Sequence, residues 1–410
     1  MTDSMSPLAF KAVLLAALIQ LVNALDFMMI MPLGPDLARD LGISPAWIGY
    51  LGGSYTLAAA VSSLLTAKII DRLDRKNVVL VALTGLSLST LFCAFAWNMP
   101  SLFSARILAG LFAGPATAIA LTIVTDQVPV AQRGRAMAIV MGAFSVAAIA
   151  GVPFGLKLSL LYGWAAPFFV VTALSAMTLI TIWLLLPNMT THLNSSAHTP
   201  TTEVSLLALL SNNLVINAFM SMGIAIFSTF LIVPNLAAWL QFNLGVERDA
   251  MSFYYLIGGI ASLIVLQCGG RLTDKLGALP VTILIAGVII FLLLDGFMHN
   301  PWLPPLVIFT LFMALTATRT IVAAAVNTQV PHPWERAAFM SLQSVCQHVF
   351  SGLAAVLSSM ILIDVNGRLE NIAQLASVSM LLTMIQPLFL FWLLKKLHSP
   401  HKAVKEIAEK

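Results

Sequence analysis

The sequence predicts an all-α integral membrane protein: twelve transmembrane helices in two pseudo-symmetric six-helix bundles, with both termini cytoplasmic. Three observations carry that expectation. Charge is scarce, long apolar segments follow one another almost end to end, and a pair of loop patterns in the first half recurs in the second. Of 410 residues, 59% are hydrophobic and 9% are charged, and the mean hydropathy is +0.94. A soluble domain carries about a quarter of its residues as Asp, Glu, Lys or Arg, so this chain cannot cover itself with a water-facing surface. Lipid offers no partner to backbone N–H and C=O groups, which restricts spanning segments to helices and closed barrels. These runs are too long and too continuous for the alternating strands of a barrel.

Taken in order, the apolar segments are 9–31, 46–69, 78–97, 102–126, 136–158 and 165–186, then 212–239, 251–270, 279–298, 304–328, 338–362 and 372–394. Each is near the roughly 20 residues a helix needs to cross a bilayer. The first is too long for a signal-peptide core and has no small-residue cleavage pattern after it, so it is expected to be a span. The polar stretch Pro187–Glu203 reads as a linker. The expected organisation is therefore an N-terminal bundle at 1–186, a cytoplasmic linker at 187–204, and a C-terminal bundle with a short cytoplasmic tail at 205–410.

Lys and Arg set the orientation, because cytoplasmic loops carry the excess of both. One side collects Lys11, Lys68, Arg72, Arg75, Lys76, Arg133, Arg135, Arg271, Lys275, Arg336 and the lysines of the C-terminal tail; the other collects Arg39, Arg248 and Arg368. The pI of 9.0 is thus a topology signal and not a nucleic-acid surface. The tryptophans fit the same register. Trp47, Trp97, Trp164, Trp239 and Trp302 fall at outer span ends, and Trp183, Trp334 and Trp392 at or near inner ends, as interfacial belts require. The inner membrane of a cell is the expected location. Cys93, Cys268 and Cys346 all lie in apolar runs and suggest neither a disulfide framework nor a metal site.

The repeat is read from two landmarks. Asp71, Arg72, Arg75 and Lys76 join the second and third spans, and Gly270, Arg271, Asp274, Lys275 and Gly277 join the eighth and ninth. Gln127-Val128-Pro129 precedes Arg133, and Gln329-Val330-Pro331 precedes Arg336. Two matched landmarks at nearly one spacing indicate a duplicated six-helix unit.

Ionisable groups inside spans are expensive and need a reason to be there. Asp26 sits in the outer third of the first span and Arg106 at a similar depth in the fourth. They are candidates for proton coupling; the competing readings are a permanent ion pair, a wetted carboxylate and a substrate contact. Asn23 precedes Asp26 by one turn and is a candidate substrate contact. Arg319 in the tenth span has no acidic residue near its depth, so it faces a watery cavity, bridges carbonyls or meets an anionic substrate, with Thr318 and Thr320 as neighbouring hydrogen-bond partners. Lys157, near the outer end of the fifth span, is expected to snorkel to the headgroups. Gln343, Gln347 and His348 make a polar patch in the eleventh span; they either contact substrate or join helices. No His, Cys and carboxylate group is arranged for catalysis or metal binding, and no nucleotide-binding loop is visible.

The loop residues resemble the signature of the major facilitator superfamily, Gly-x-x-x-Asp-Arg/Lys-x-Gly-Arg/Lys-Arg/Lys. The first copy keeps Asp71, Arg72, Arg75 and Lys76 but has Ala67 and Asp74 for the glycines; the second keeps Gly270, Asp274, Lys275 and Gly277 without the closing basic pair. The fifth span, with Gly142, Gly151, Pro153 and Gly155, is similar to the glycine- and proline-rich motif of drug:proton antiporters, and Arg106, Gly110 and Gly114 resemble that branch's fourth-span signature. The resemblance implies alternating access by two rocking bundles, a small-molecule substrate moved by a proton gradient without any other cofactor, proton relay through Asp26 and Arg106, and no enzymatic activity. It implies a conformational lock on the cytoplasmic side, formed by Asp71, Arg72, Arg75, Asp126 and Asp274. Gly142, Gly151, Pro153 and Gly155 would kink the fifth span or let it slide against the other half. Protons, substrate and lipid are the expected partners, with the chain as a monomer. Export is the leading expectation; uptake of a sugar or organic anion by symport or facilitated diffusion is the alternative, and a membrane enzyme the least favoured.

Overall fold

A computed structural model describes residues 5–70, 73–129, 132–187, 189, 209–332, 335–365 and 367–397. Asp71, Arg72 and Trp334, and nearly all of the expected linker, lie outside these residues. Among the described residues, twelve helices are long and apolar enough to span a membrane: Pro7–Met29, Pro45–Thr66, Arg75–Ala94, Met99–Gln127, Arg133–Tyr162, Ala166–Leu185, Asn213–Asn243, Arg248–Leu276, Ala278–Phe297, Pro305–Asn327, Ala338–Ile361 and Ile372–Leu397. Each overlaps an expected segment, and an even number of crossings puts Pro7 and Leu397, the first and last helix ends, on one face. That face is called the terminal face below, and its opposite the far face.

The helices start and stop where the local chemistry directs. Asn98 caps the fourth span, accepting from Ser101 N at 2.9 Å while Ser101 Oγ reaches back to Asn98 N at 3.2 Å, a reciprocal capping box. Gly163 (φ 89°) and Gly277 (φ 87°) end the fifth and eighth spans in a left-handed region open to glycine. The fifth span is not one regular helix: Ala147–Gly151 form a π turn just ahead of Pro153. Proline has no N–H to donate into the ladder, and an inserted residue accommodates that loss locally.

Two features were not foreseen. A short helix, Gly34–Leu41, follows the first span on the far face. A two-stranded antiparallel hairpin, β1 (Ile363–Val365) and β2 (Arg368–Glu370), joins the last two spans. Asn243 holds β2 in place from the seventh span, donating to Leu369 O at 2.9 Å and accepting from Leu369 N at 3.1 Å.

The two bundles meet through glycine. A Cβ on Gly49 would lie 2.1 Å from Ala355 O, and one on Gly53 would lie 2.8 Å from Gly352 O, so the second and eleventh spans touch backbone to backbone. A Cβ on Gly259 of the eighth span would lie 3.0 Å from Ile149 Cα of the fifth. Small residues permit such approach where lipid supplies no hydrophobic drive. Gly151 and Gly155 permit close helix contact within one bundle: added Cβ atoms there would meet the Leu25 and Met29 side chains, so they seat the fifth span on the first. Gly142 has open space beside it. The fifth span meets the other half at Gly259, through Ile149 and Ala148.

Trp47, Trp97, Trp183, Trp302 and Trp392 are exposed, as belt residues are. Trp239 is a correction. It is 2% exposed and stacks on Phe297 with ring centroids 4.1 Å apart, because the seventh span continues past it to Asn243 and turns the indole into the protein. Lys157 is exposed, consistent with snorkelling.

Candidate functional site

Asp26 and Arg106 meet. Arg106 Nη1 donates to Asp26 Oδ2 at 3.1 Å and to Asp26 O at 3.2 Å, with both side chains fully buried. Thr90 of the third span donates to Asp26 Oδ1 at 2.8 Å. The guanidinium carbon lies 4.2 Å from the centroid of the Tyr55 ring, within reach of a cation–π attraction. Four spans of the N-terminal bundle thus converge on one carboxylate. Arg106 Nε and Nη2 find no acceptor among the described residues.

Tyr55 connects this pair to a cavity. Its hydroxyl donates to Asn23 Oδ1 at 2.9 Å, and its ring stacks on Phe27 with centroids 5.7 Å apart. Asn23 donates to Ala113 O at 3.0 Å and also to Thr117 Oγ1, which commits both of its N–H donors within the bundle. Asn23, Phe27, Tyr55 and Thr117 form one wall of a cavity of about 230 Å³ between the bundles; Phe230, Thr229, Thr320, Gln347, His348 and Ser351 form the other. Phe27 and Phe230, both lining it, stack with centroids 6.2 Å apart.

The polar patch of the eleventh span divides. Gln347 and His348 line the cavity. Gln343 does not: it accepts from Asn327 Nδ2 at 3.1 Å, and Asn327 donates also to Ala218 O at 3.1 Å, joining the seventh, tenth and eleventh spans. Arg319 lies behind the cavity wall. Its Nη2 donates to Ala225 O and Ser228 Oγ at 2.8 Å and to Thr229 Oγ1 at 3.0 Å, and its Nη1 donates to Thr383 Oγ1 at 3.0 Å. The flanking threonines do not serve it: Thr318 and Thr320 donate to Ala314 O and Thr316 O one turn back along their own helix. Helix geometry points residues i−1 and i+1 away from i, which is why neighbours in sequence were the wrong partners.

Of the expected terminal-face lock, Arg75 and Asp126 pair at 2.6 Å, tying the third span to the end of the fourth within one bundle. Asp274 is exposed, and Asp71 and Arg72 are not among the described residues.

A second ionic cluster, missed in the sequence, bridges the bundles on the far face. Asp36 of the short helix receives Arg248 at the start of the eighth span through both oxygens, Nε to Oδ1 at 2.7 Å and Nη2 to Oδ2 at 2.6 Å. Arg39 adds a bond to Oδ1 at 2.6 Å and Ser159 one to Oδ2 at 2.7 Å, while Arg248 Nη2 also reaches Leu156 O at 3.2 Å. Both side chains of the bridge are 9% exposed. The planar fork of Arg matches a carboxylate in two parallel bonds, which gives direction as well as strength. The only sequence signal was an Asp on a polar turn after the first span, 212 residues away from its partner.

A model of the Major Facilitator Superfamily matches residues 16–294 and again 218–410. The chain belongs to that superfamily. The overlapping matches agree with a repeated unit. Among superfamily members, a gallate transporter of Pseudomonas putida is 30% identical over 173 residues, 42% of this chain and 38% of that protein. A chloramphenicol resistance protein of Streptomyces lividans is 30% identical over 158 residues, 38% of this chain and 40% of that protein. The matched segments span well under two thirds of these relatives' own lengths. The crystal structure of a bacterial homologue of the human lysosomal transporter Spinster, inward-facing and occupied, superposes with a TM-score of 0.76, covering 96% of this chain and 98% of that one at 16% identity. At that identity the likeness speaks to fold alone. Family and fold are those of multi-pass membrane transporters of small molecules.

Proposed function

We propose that this superfamily member is a proton-coupled antiporter that exports a small organic molecule, with the terminal face in the cytoplasm of a cell's inner membrane. The observation that carries the reading is the continuous path from cavity to carboxylate. Tyr55 lines the cavity, holds Asn23 through its hydroxyl and lies against Arg106 through its ring, and Arg106 holds Asp26. A ligand that displaces Tyr55 weakens the hold on Arg106, and with it the ion pair that a proton on Asp26 would break. Substrate and proton thereby compete through shared groups, which is the requirement of antiport.

The bonds and backbone approaches between bundles described above lie toward the far face, so this state is closed there. Opening it requires breaking Asp36–Arg248 and separating Gly49 and Gly53 from the eleventh span. The Lys and Arg excess of the terminal-face loops supports a cytoplasmic terminal face. The chloramphenicol resistance relative supports export, and the apolar, aromatic cavity wall suits an organic molecule better than a sugar.

Sealed inverted vesicles, acidified inside, test the reading. With wild-type protein, one or more of a panel of chloramphenicol, gallate, ethidium and xylose releases protons on addition; Asp26→Asn abolishes that release while the protein remains in the membrane at normal yield. Undiminished proton release by Asp26→Asn overturns the proton role. Proton uptake together with substrate, rather than exchange, assigns symport instead.

A further inference from the structure

Among the described residues, Arg319 is a cation without a counter-ion at the level of the cavity. It is 1% exposed, and all its described partners are neutral oxygens: one carbonyl and three hydroxyls. Hydrogen bonds engage both terminal nitrogens while Nε finds no acceptor among the described residues; neutral acceptors leave the unit charge in place, and arginine does not shed its proton. The contrast with Arg106 is direct, since that guanidinium has Asp26 at 3.1 Å. The asymmetry lies between bundles: the N-terminal bundle neutralises its buried arginine and the C-terminal bundle does not. A membrane-buried charge is retained where it meets a partner or a pathway.

The cavity wall in front of Arg319 is built to receive that partner. Thr229, which Arg319 holds at 3.0 Å, and Thr320, next to it in sequence, both line the cavity. On the same side, Gln347 Nε2 has only the Met222 sulfur at 3.4 Å, a weak acceptor, and no hydrogen bond to the His348 ring is described. The facing wall differs. Asn23, Tyr55 and Thr117 satisfy one another, and the rings of Phe27, Tyr55 and Phe144 present apolar surface. Among the described residues, no carboxylate, lysine or arginine lines the cavity. The hydroxyls of Thr229, Thr320 and Ser351 donate to backbone carbonyls, so this wall offers Gln347 and His348 as donors near an uncompensated positive charge, and the other offers aromatic faces. The volume of about 230 Å³ is below the roughly 300–1,000 Å³ of pockets for drug-sized ligands.

From this we infer that the substrate is a small aromatic monoanion, a carboxylate on one or two rings, bound with its anionic group toward Gln347 and His348 and its ring against Phe27 and Tyr55. Arg319 is the specificity-determining residue, acting through Thr229 by long-range attraction. The inference rests on the reading of the cavity as the substrate site, and it concerns recognition alone, with no dependence on proton coupling or direction.

Equilibrium binding to the full-length protein in detergent, without any gradient, tests it separately from transport. The probes are matched pairs that differ only in charge: benzoate and benzamide, 4-hydroxybenzoate and its methyl ester, gallate and methyl gallate, 2-naphthoate and 2-naphthamide. At pH 7 the acids are ionised, their reference carboxylate pKa lying near 4. For at least one pair the anion binds more than tenfold tighter than its neutral mate, Arg319→Lys retains the preference, and Arg319→Gln removes it. Because Arg319→Gln deletes buried hydrogen bonds, its thermal unfolding is recorded alongside, and Gln347→Leu, behind which Arg319 remains intact, provides a second variant that weakens the anion more than its neutral mate. Neutral members binding as tightly as anions, or no carboxylate in the series binding at all, overturns the inference. Failure here with intact Asp26-dependent proton release leaves the antiport reading standing, and the reverse result separates the two in the other direction.

Discussion

Removing the Arg248 guanidinium isolates the far-face bridge. Asp36 and Arg248 share two charge-assisted bonds of 2.7 and 2.6 Å across the bundles, with each side chain 9% exposed. Hydrogen bonds to charged groups contribute roughly 1.5–3 kcal/mol each. In Arg248→Ala the carboxylate keeps Arg39 and Ser159, so it is not stranded, and the loss sits near the lower end of that range. In the state open at the far face, water replaces both partners. The bridge therefore favours the closed state by about 2 kcal/mol, and since every 1.4 kcal/mol is tenfold, its removal raises the open-to-closed ratio roughly 30-fold. Spin labels at Trp97→Cys and Trp302→Cys, two exposed positions on the far-face loops of opposite bundles, read that ratio as a distance distribution. Arg248→Ala adds or enlarges a long-distance population; Arg248→Lys, which keeps charge but loses the fork, falls between. A distribution identical to the parent in both variants refutes the assignment of this pair as a gate and leaves the glycine seams as the closing element.

Two further outcomes follow from packing and polarity. Gly110→Ala places a Cβ 2.2 Å from Tyr55 O inside the N-terminal bundle, and Gly49→Ala places one 2.1 Å from Ala355 O between bundles. Overpacking costs about 1–3 kcal/mol, so Gly110→Ala lowers the melting temperature of the purified protein, whereas Gly49→Ala relieves its clash by opening the far face and shifts the same spin-label distances. Gln347→Leu weakens transport affinity roughly tenfold through a lost donor, while Gln343→Leu leaves affinity unchanged and lowers thermal stability, because Gln343 bonds Asn327 inside the bundle; equal effects of the two on substrate concentration dependence would contradict the division of the eleventh span.

Composition and apolar length were enough for the twelve spans, because a bilayer leaves the backbone few alternatives and makes each crossing a local property of about 20 residues. The repeated loops supplied the two-bundle arrangement for the same reason. Asp26 and Arg106 were legible as candidates since ionisable groups in spans stand out by their rarity, although Thr90 and Tyr55, which complete the cluster, carry no such mark. Depth along a helix follows from sequence position, but the direction in which a side chain points depends on how neighbouring helices rotate against it. That rotation put Gln343 in the bundle and Gln347 in the cavity, turned Trp239 inward, seated Gly151 and Gly155 on the first span, and gave Arg319 partners from two other helices. Asp36 and Arg248 looked like ordinary loop charges, and only the closure of one bundle on the other brought them into contact across 212 residues. The sequence determined which segments cross the membrane and which charges need a reason to be there; the tertiary structure decided what each charge meets, because helix rotation and bundle closure are set by contacts between distant segments that no local pattern encodes.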